Sequence, residues 1–444
     1  MQEPTIASPL TFHVSRFTYN VAMRIAFIAP FGMQPKGTVS ARMMPLARAL
    51  AERGHGVHVV VPPWDDPNAR PGAWFENVTG GKDGWLCVET LVLPGGGPRS
   101  LRLTWRIVRA ALNKPRPLAN VEGGRTRVRE GGPDVVHVFK PVGYSGLAGF
   151  ALSGMRVPWV LDVDDWEGPG GWADVNPYSP AQKLSLALME ALLPRLAGAV
   201  TAASRTLEAR TWDMGLPRGR VFYLPNGVSR SKYANWHRIP KAHLYPQDSI
   251  GTHRPILLLY SRLAEFPWHW PLEVLARVRR DHPDTCLLVV GGGFFGEEKK
   301  LQGEALAMGL GESVKVLGRV PEEQLSVVLS AGDVALYPME DTLLNRAKSP
   351  VKLLEVMLMG LPVVAHRVGQ TPEFLGDAGV LVEAGDVEAM AASASALLSD
   401  SERRGRLGEK ARERVWTEFN WEGLSGVAER AYRAAQGKAG PPGA

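Results

Sequence analysis

Short apolar runs, each closed by a small or turn-forming residue and followed by a stretch of helical period, recur along almost the whole chain. In the second half they are Ile256 to Tyr260, Leu287 to Val290, Val314 to Leu317, Val334 to Leu336 and Val363 to Ala365. Such runs read as strands, and strand–helix–strand units of this kind wind a parallel sheet. The first half carries the same pattern at Arg24 to Ala29, Val57 to Val61, Asp134 to Phe139, Trp159 to Val163, Ala199 to Ala203 and Val221 to Leu224. The expected fold class is α/β, with two Rossmann-like, doubly wound parallel-sheet domains that take ligands at the carboxyl ends of their strands.

A chain of 444 residues is too long for one ordinary core, in keeping with two domains. Residues 1–22 read as a disordered tail or a misplaced start, because Met23 opens MRIAFIAP like a natural beginning. Residues 23–230 form the expected first domain, 231–254 the connection, 255–417 the second domain, and 418–444 a C-terminal helix with a flexible end that packs back toward the first. Residues 62–132 are rich in Gly, Pro and Trp and read as long loops around one basic segment.

That segment carries much of the net charge of +6. Arg99, Arg102, Arg106 and Arg109 recur at helical spacing among Leu101, Leu103, Trp105, Ile107 and Val108, with Lys114, Arg116, Arg125, Arg127 and Arg129 following. Such a stretch either lies on an anionic surface or is a solvated helix face followed by a loop. No nucleic-acid recognition motif accompanies it, so a nucleic-acid partner is not expected. Cys87 and Cys286 make neither a disulfide framework nor a zinc site, which fits a reducing compartment. No apolar run is long enough to cross a bilayer. The expected location is the cytoplasm, at the inner face of the membrane if the basic segment docks there.

The stretch Asn345 to His366, NRAKSPVKLLEVMLMGLPVVAH, carries the most chemistry. Ser349 and Pro350 read as a helix start with the serine as cap, Lys352 and Glu355 share one face, and Gly360 with Pro362 ends the helix. Free backbone N–H groups beside a lysine hold a phosphate without metal. The alternative is an ordinary αβ unit with a solvated Lys352–Glu355 pair. Asp162, Asp164 and Asp165 crowd another strand end, but adjacent carboxylates without a third ligand are more often hydrogen-bond acceptors than a metal site, so no metal is expected. The Gly-containing turn PFGMQPKGT after the first strand could bind an anion, without the spacing of a dinucleotide fingerprint.

Taken in order, RIAFIAP with LARALAERGHGVHVVVP, PDVVHV, LPNGV, YSRL, LLVVGGG, VKVLGRVPEEQL, AGDVALYP, KLLEVMLMGLPVVAH and WTEFNWE resemble the glycosyl transferases group 1 family, retaining nucleotide-sugar enzymes of the family 4 type. The resemblance spans Met23 to about Trp421 and implies the GT-B fold, two Rossmann-like domains facing a cleft. It implies that Arg262 binds the donor diphosphate and that Glu355 meets the ribose hydroxyls. It further implies that the backbone at Arg319 and Val320 reads the base, that Gly37 lies near phosphate and acceptor, and that Gly291 belongs to the donor loop.

The chain departs from the family pattern at several places. Pro267 and Trp268 stand where a lysine is usual after the arginine, Ala347 replaces a glutamate that touches the donor sugar, and Phe139 replaces a histidine. Asp164 replaces another histidine at the end of the next strand. Lys348 and Lys352, beside Ser349 at the helix start, can supply the missing positive charge, and Lys140 can serve the sugar or the leaving phosphate. The expected catalytic group is thus Arg262, Lys352, Lys140 and Asp164. The expected donor-binding group is Glu355, Lys348, Ser349, Arg319, Val320, Gly37 and Gly291.

The function implied is sugar transfer from a nucleotide diphosphate sugar, a substrate rather than a cofactor, to an acceptor hydroxyl in cell-envelope polysaccharide or glycolipid synthesis. No cofactor is expected. The acceptor is not identified by the sequence, although the basic segment fits a lipid-linked or anionic one. Two alternatives stand beside it: a silent glycosyltransferase-like binding subunit, which the departures would explain, and a GT-B nucleotide-sugar epimerase.

Overall fold

In a computed structural model that describes residues 22–33, 37–62, 72–76, 84–91, 99–113, 132–241 and 254–438, eleven of the fourteen strands among the described residues form on the apolar runs above. The chain divides into two compact units, Met1–Phe139 with Gly143–Trp159, and Lys140–Val142 with Val160–Ala444. The expected tail, Ala22 excepted, and Lys114, Arg116, Arg125, Arg127 and Arg129 lie outside the described residues.

In the first unit β1 (Arg24–Ile28) runs parallel to both β2 (Gly56–Val61) and β5 (Val135–Phe139). Buried residues fill both of its faces, and Phe27 meets the His137 ring edge-on at 5.3 Å. The region read as long loops holds two more strands, β3 (Gly72–Glu76) and β4 (Trp85–Thr90). β4 pairs parallel with β2, and β3 closes the edge antiparallel to β4. The run Trp85 to Val88 is buried like any central strand; its short length among glycines and prolines hid it. The helix Arg99–Leu112 buries Leu103, Ile107, Val108 and Ala111 and exposes Leu101, Arg102, Trp105, Arg106 and Arg109.

The second unit begins with a parallel ladder, β6 (Trp159–Val163), β7 (Ala199–Ala202) and β8 (Val221–Tyr223), paired through Val160 with Ala199 and Val200 with Val221. The remaining strands are β9 (Ile256–Tyr260), β10 (Cys286–Val290), β11 (Val314–Gly318), β12 (Val334–Tyr337), β13 (Val363–His366) and β14 (Val380–Val382). They form one parallel sheet in the order β11-β10-β9-β12-β13-β14. Alternate residues of β9 enter separate cores: Ile256, Leu258 and Tyr260 face one, Leu257 and Leu259 the other. A sheet sandwiched this way needs apolar side chains on both faces, which is why the inner strands β9, β10, β12 and β13 show no alternation. The strand order reverses beside β9, and such a reversal opens a crevice at the carboxyl edge.

The segment read as a plain connection contributes to this core as far as it is described. A short helix, Arg230–Tyr233, is followed by Trp236, and Tyr233 and Trp236 are both buried, their rings edge to face at 4.8 Å. The C-terminal helix Trp421–Ala435 packs on β7 and β8.

Candidate functional site

Because the six strands are parallel, their carboxyl ends place Tyr260, Gly291, Gly318 and Tyr337 on one edge of the sheet. Gly291 has φ +114°, and its N–H donates to the Gly318 carbonyl at 2.7 Å. A Cβ built on it would lie 2.1 Å from the Ser261 carbonyl oxygen and 3.0 Å from Lys352 Nζ. Only glycine lets the backbone pass so close to both. Lys352 enters from the first turn of the helix Val351–Leu358, with Nζ 4.6 Å from the centre of the Tyr260 ring.

Glu355 lies one turn further along that helix and is buried. Tyr233 donates its phenol to Oε1 at 2.7 Å, and Tyr260 donates to Oε2 at 2.9 Å. Burial and then the charge of Glu355 push both phenols well above the usual tyrosine range, so both remain donors at neutral pH. A carboxylate oxygen can accept from more than one donor.

Arg262 follows β9, half-buried, with its guanidinium 5.9 Å from the Phe294 ring centre. Trp172 meets Phe294 edge-on at 6.0 Å, and its own ring centre lies 5.5 Å from Lys348 Nζ. Lys348 donates to Glu265 Oε1 at 3.0 Å and to Asn345 Oδ1 at 2.9 Å. Burial alone would raise Glu265, but Lys348 and Arg262 outweigh it and hold the carboxyl at about 2. Ala347 is fully buried beside this pair.

Lys140, with Asp164, forms a second cluster. Its ammonium is committed to Glu167 at 2.7 Å, Asp165 at 2.8 Å and Asp164 at 3.3 Å. Burial would lower its pKa, but the three carboxylates raise it, so it is a fixed positive charge. Asp165 is lowered although burial opposes this, first by Lys140 and then by Lys348 and Arg262, so the two clusters sense each other. The Glu167 N–H donates to Glu190 Oε1 at 2.8 Å, and burial pushes the Glu190 carboxyl up to about 8. Asp162 accepts the Thr201 hydroxyl at 2.7 Å. Among the described residues no group of His, Cys, Asp and Glu is arranged to hold a metal ion.

The expected serine cap is not formed. Pro350 is itself the N-cap, without a side-chain bond, and the helix begins at Val351. Ser349 turns away to Asn226: its Oγ accepts the Asn226 N–H at 2.8 Å and its carbonyl accepts Asn226 Nδ2 at 2.6 Å. A bidentate partner outweighs one cap bond. Arg319 is exposed after β11, with its Cγ 3.7 Å from the Cβ that Gly292 would carry, while Val320 packs against the core. Gly37 belongs to the first unit, where its carbonyl accepts the Ala41 N–H at 2.8 Å at the start of a helix. Arg262, Lys348, Lys352, Glu355, Gly291 and Arg319 thus come together around the strand ends, with Lys140 and Asp164 in the adjoining cluster. Tyr233, Glu265, Asn226 and Trp172 were not expected. Asn226 alone had a local signal, the turn sequence PNGV.

Residues 254–400 match the model of the family described as glycosyl transferases group 1, and residues 37–227 match that of the glycosyl transferase 4-like domain. A phosphatidyl-myo-inositol mannosyltransferase of Mycolicibacterium smegmatis is 26% identical over 94% of this chain and 95% of its own. A GDP-mannose-dependent alpha-(1-6)-phosphatidylinositol monomannoside mannosyltransferase of the same organism is 31% identical, over 51% of this chain and 59% of its own length. Sucrose-phosphate synthase from Thermosynechococcus elongatus superimposes with a TM-score of 0.66 at 22% identity, covering 93% of this chain and 98% of that one. Anabaena HepE in complex with UDP-glucose gives 0.64 at 18%, covering 92% and 98%. These last two are likenesses of fold.

Proposed function

Since the chain belongs to the group 1 glycosyltransferases and has their GT-B fold, we propose that it moves a sugar from a nucleotide diphosphate sugar to an acceptor hydroxyl. The observation that carries this reading is the convergence of Arg262, Lys348 and Lys352 on the strand edge that also presents Gly291 and Glu355. Three cations beside a backbone with no Cβ in the way suit a diphosphate. A buried carboxylate held in place by two phenols suits a pair of vicinal hydroxyls, as a ribose presents.

In this reading Arg262 and Lys352 stabilise charge growing on the leaving phosphate, usually the largest electrostatic contribution to such a transfer. The bond from the anomeric carbon to the phosphate oxygen breaks, and the acceptor oxygen bonds to that carbon on the same face. The acceptor proton passes to the leaving phosphate, and the configuration is retained. The engagement of Asp164, Asp165 and Glu167 with Lys140 supports a reading in which the protein's own cations carry the diphosphate charge. Lys140 acts through the carboxylates it holds.

For the acceptor we infer a lipid-linked hydroxyl at an anionic membrane surface, in glycolipid or envelope polysaccharide synthesis on the cytoplasmic side. Two features support it: the phosphatidylinositol substrates named for the mannosyltransferase relatives, and the exposed Leu101, Trp105 and arginines of the helix Arg99–Leu112. No described helix is long and apolar enough to cross a membrane.

Thermal-shift titration with UDP, GDP, ADP and their sugar conjugates, with Glu355→Ala as control, tests the donor site. A selective shift lost in the variant fixes the base. No shift with any nucleotide would replace this reading by the silent binding subunit, with Ala347 and Pro267 as its explanation. Donor conversion without any acceptor would favour epimerisation instead.

A further inference from the structure

Lys348 follows Ala347, the position where a glutamate would have faced the donor. An ammonium has three hydrogens to give. One goes to Glu265 Oε1 at 3.0 Å and one to Asn345 Oδ1 at 2.9 Å, which leaves one. Glu265 is itself held from three directions. Its Oε2 accepts the Ser261 hydroxyl at 2.9 Å, and its carbonyl accepts Asn345 Nδ2 at 2.8 Å and the Glu340 N–H at 3.0 Å. Both of its oxygens are engaged within the protein, one of them by Lys348 itself. Its effect is on the cations.

Resting on the donor-site reading above, we propose that Glu265 is a positioning residue and an electrostatic counterweight. It fixes Lys348 with one N–H left for the diphosphate, and it offsets part of the positive charge so that the nucleoside diphosphate product can leave. Glu265→Gln separates these roles from simple support of the loop. The amide oxygen still accepts from Lys348 and the shape is kept, but the region gains one unit of positive charge. A nucleoside diphosphate should then bind more tightly while turnover slows, because the product is held and the lysine is less firmly fixed. A residue that only braced the fold would lose affinity and turnover together.

The test is calorimetry on the full chain with UDP, GDP and ADP and the matching monophosphates, beside donor turnover. Glu265→Gln should lower the diphosphate Kd by about three- to tenfold, leave the monophosphate Kd within about twofold, and slow turnover by roughly tenfold. An unchanged or weaker diphosphate affinity, or unchanged turnover, overturns the proposal. If the single variant does not fold, Lys348→Gln is compared with Lys348→Gln/Glu265→Gln, and the double variant should bind the diphosphate more tightly than Lys348→Gln alone. Binding of no nucleotide by the parent defeats the donor-site reading and this proposal with it. Binding by the parent with no change in the variants defeats this proposal alone.

Discussion

Tyr260 ends the strand that leads into Arg262, and its phenol donates to Glu355 Oε2 at 2.9 Å from the neighbouring helix. The residue expected to bind the ribose and the one expected to meet the diphosphate are therefore tied through a single strand end. Their variants should nevertheless differ. Glu355→Ala removes contacts made alike to bound donor and transition state, so donor KM should rise by tenfold or more, as about 1.4 kcal/mol would give, with a smaller change in kcat. It also leaves two buried phenols unpartnered, so Tm should fall, by about 1–3 kcal/mol of stability for each. Arg262→Ala should lower kcat by about a hundredfold with little loss of stability. Steady-state kinetics beside thermal melts separate the two, and equal small effects from both would undo the assignments.

Gly291→Ala is the most direct probe of the loop. The added methyl would meet the Ser261 carbonyl at 2.1 Å, at a backbone angle of +114° that side chains rarely adopt. The expected loss is above about 2 kcal/mol of stability, with the nucleotide-induced thermal shift abolished. A variant with parental Tm and parental shift would mean that the loop is not held as described.

Glu190 sets a pH dependence of stability. Its carboxyl is raised to about 8 when folded, against 4.5 for the free group, so the folded state binds the proton more tightly than the unfolded chain. The contribution is complete below the unfolded value and is lost as the pH rises through about 8. Glu190→Gln keeps the acceptor for the Glu167 N–H and has no charge to bury. Melts from about pH 5 to pH 9 should show the variant level with the parent at the acid end and more stable, by of order 2–4 kcal/mol, at the alkaline end. Parallel curves would contradict this.

The helix Arg99–Leu112 exposes Leu101 at 61% and Trp105 at 55%, with Arg102, Arg106 and Arg109 exposed alongside. Flotation with vesicles rich in anionic lipid should capture the parent, and Arg102/Arg106/Arg109→Glu should weaken capture by tenfold or more, since each basic residue near such a surface is worth about 1 kcal/mol. A parent that never floats removes the membrane contact from the proposal.

The sheets were legible because strands buried on both faces must be written as unbroken apolar runs. Lys352 and Glu355 were legible because one helix brings both onto the strand edge. Glu265 and Tyr233 were not, since neither belongs to a pattern and each acquires its role from a partner 83 and 122 residues away. Ser349 shows the reverse error: serine before proline is a fair local cap signal, and only the fold discloses that Asn226, 123 residues earlier, takes the hydroxyl instead. β4 was missed because glycines and prolines around a short run read as loop until a neighbouring strand is there to pair with it.

Lys140 has φ +62°, a left-handed backbone that glycine adopts freely and a lysine adopts only with strain. Sequence drift toward glycine at this position would ease the backbone, yet it would strand Asp164, Asp165 and Glu167 together without their common cation. Of the two demands on this position, charge has prevailed over conformation. A library randomised at residue 140 should therefore be depleted of glycine, the residue that the backbone alone would most favour.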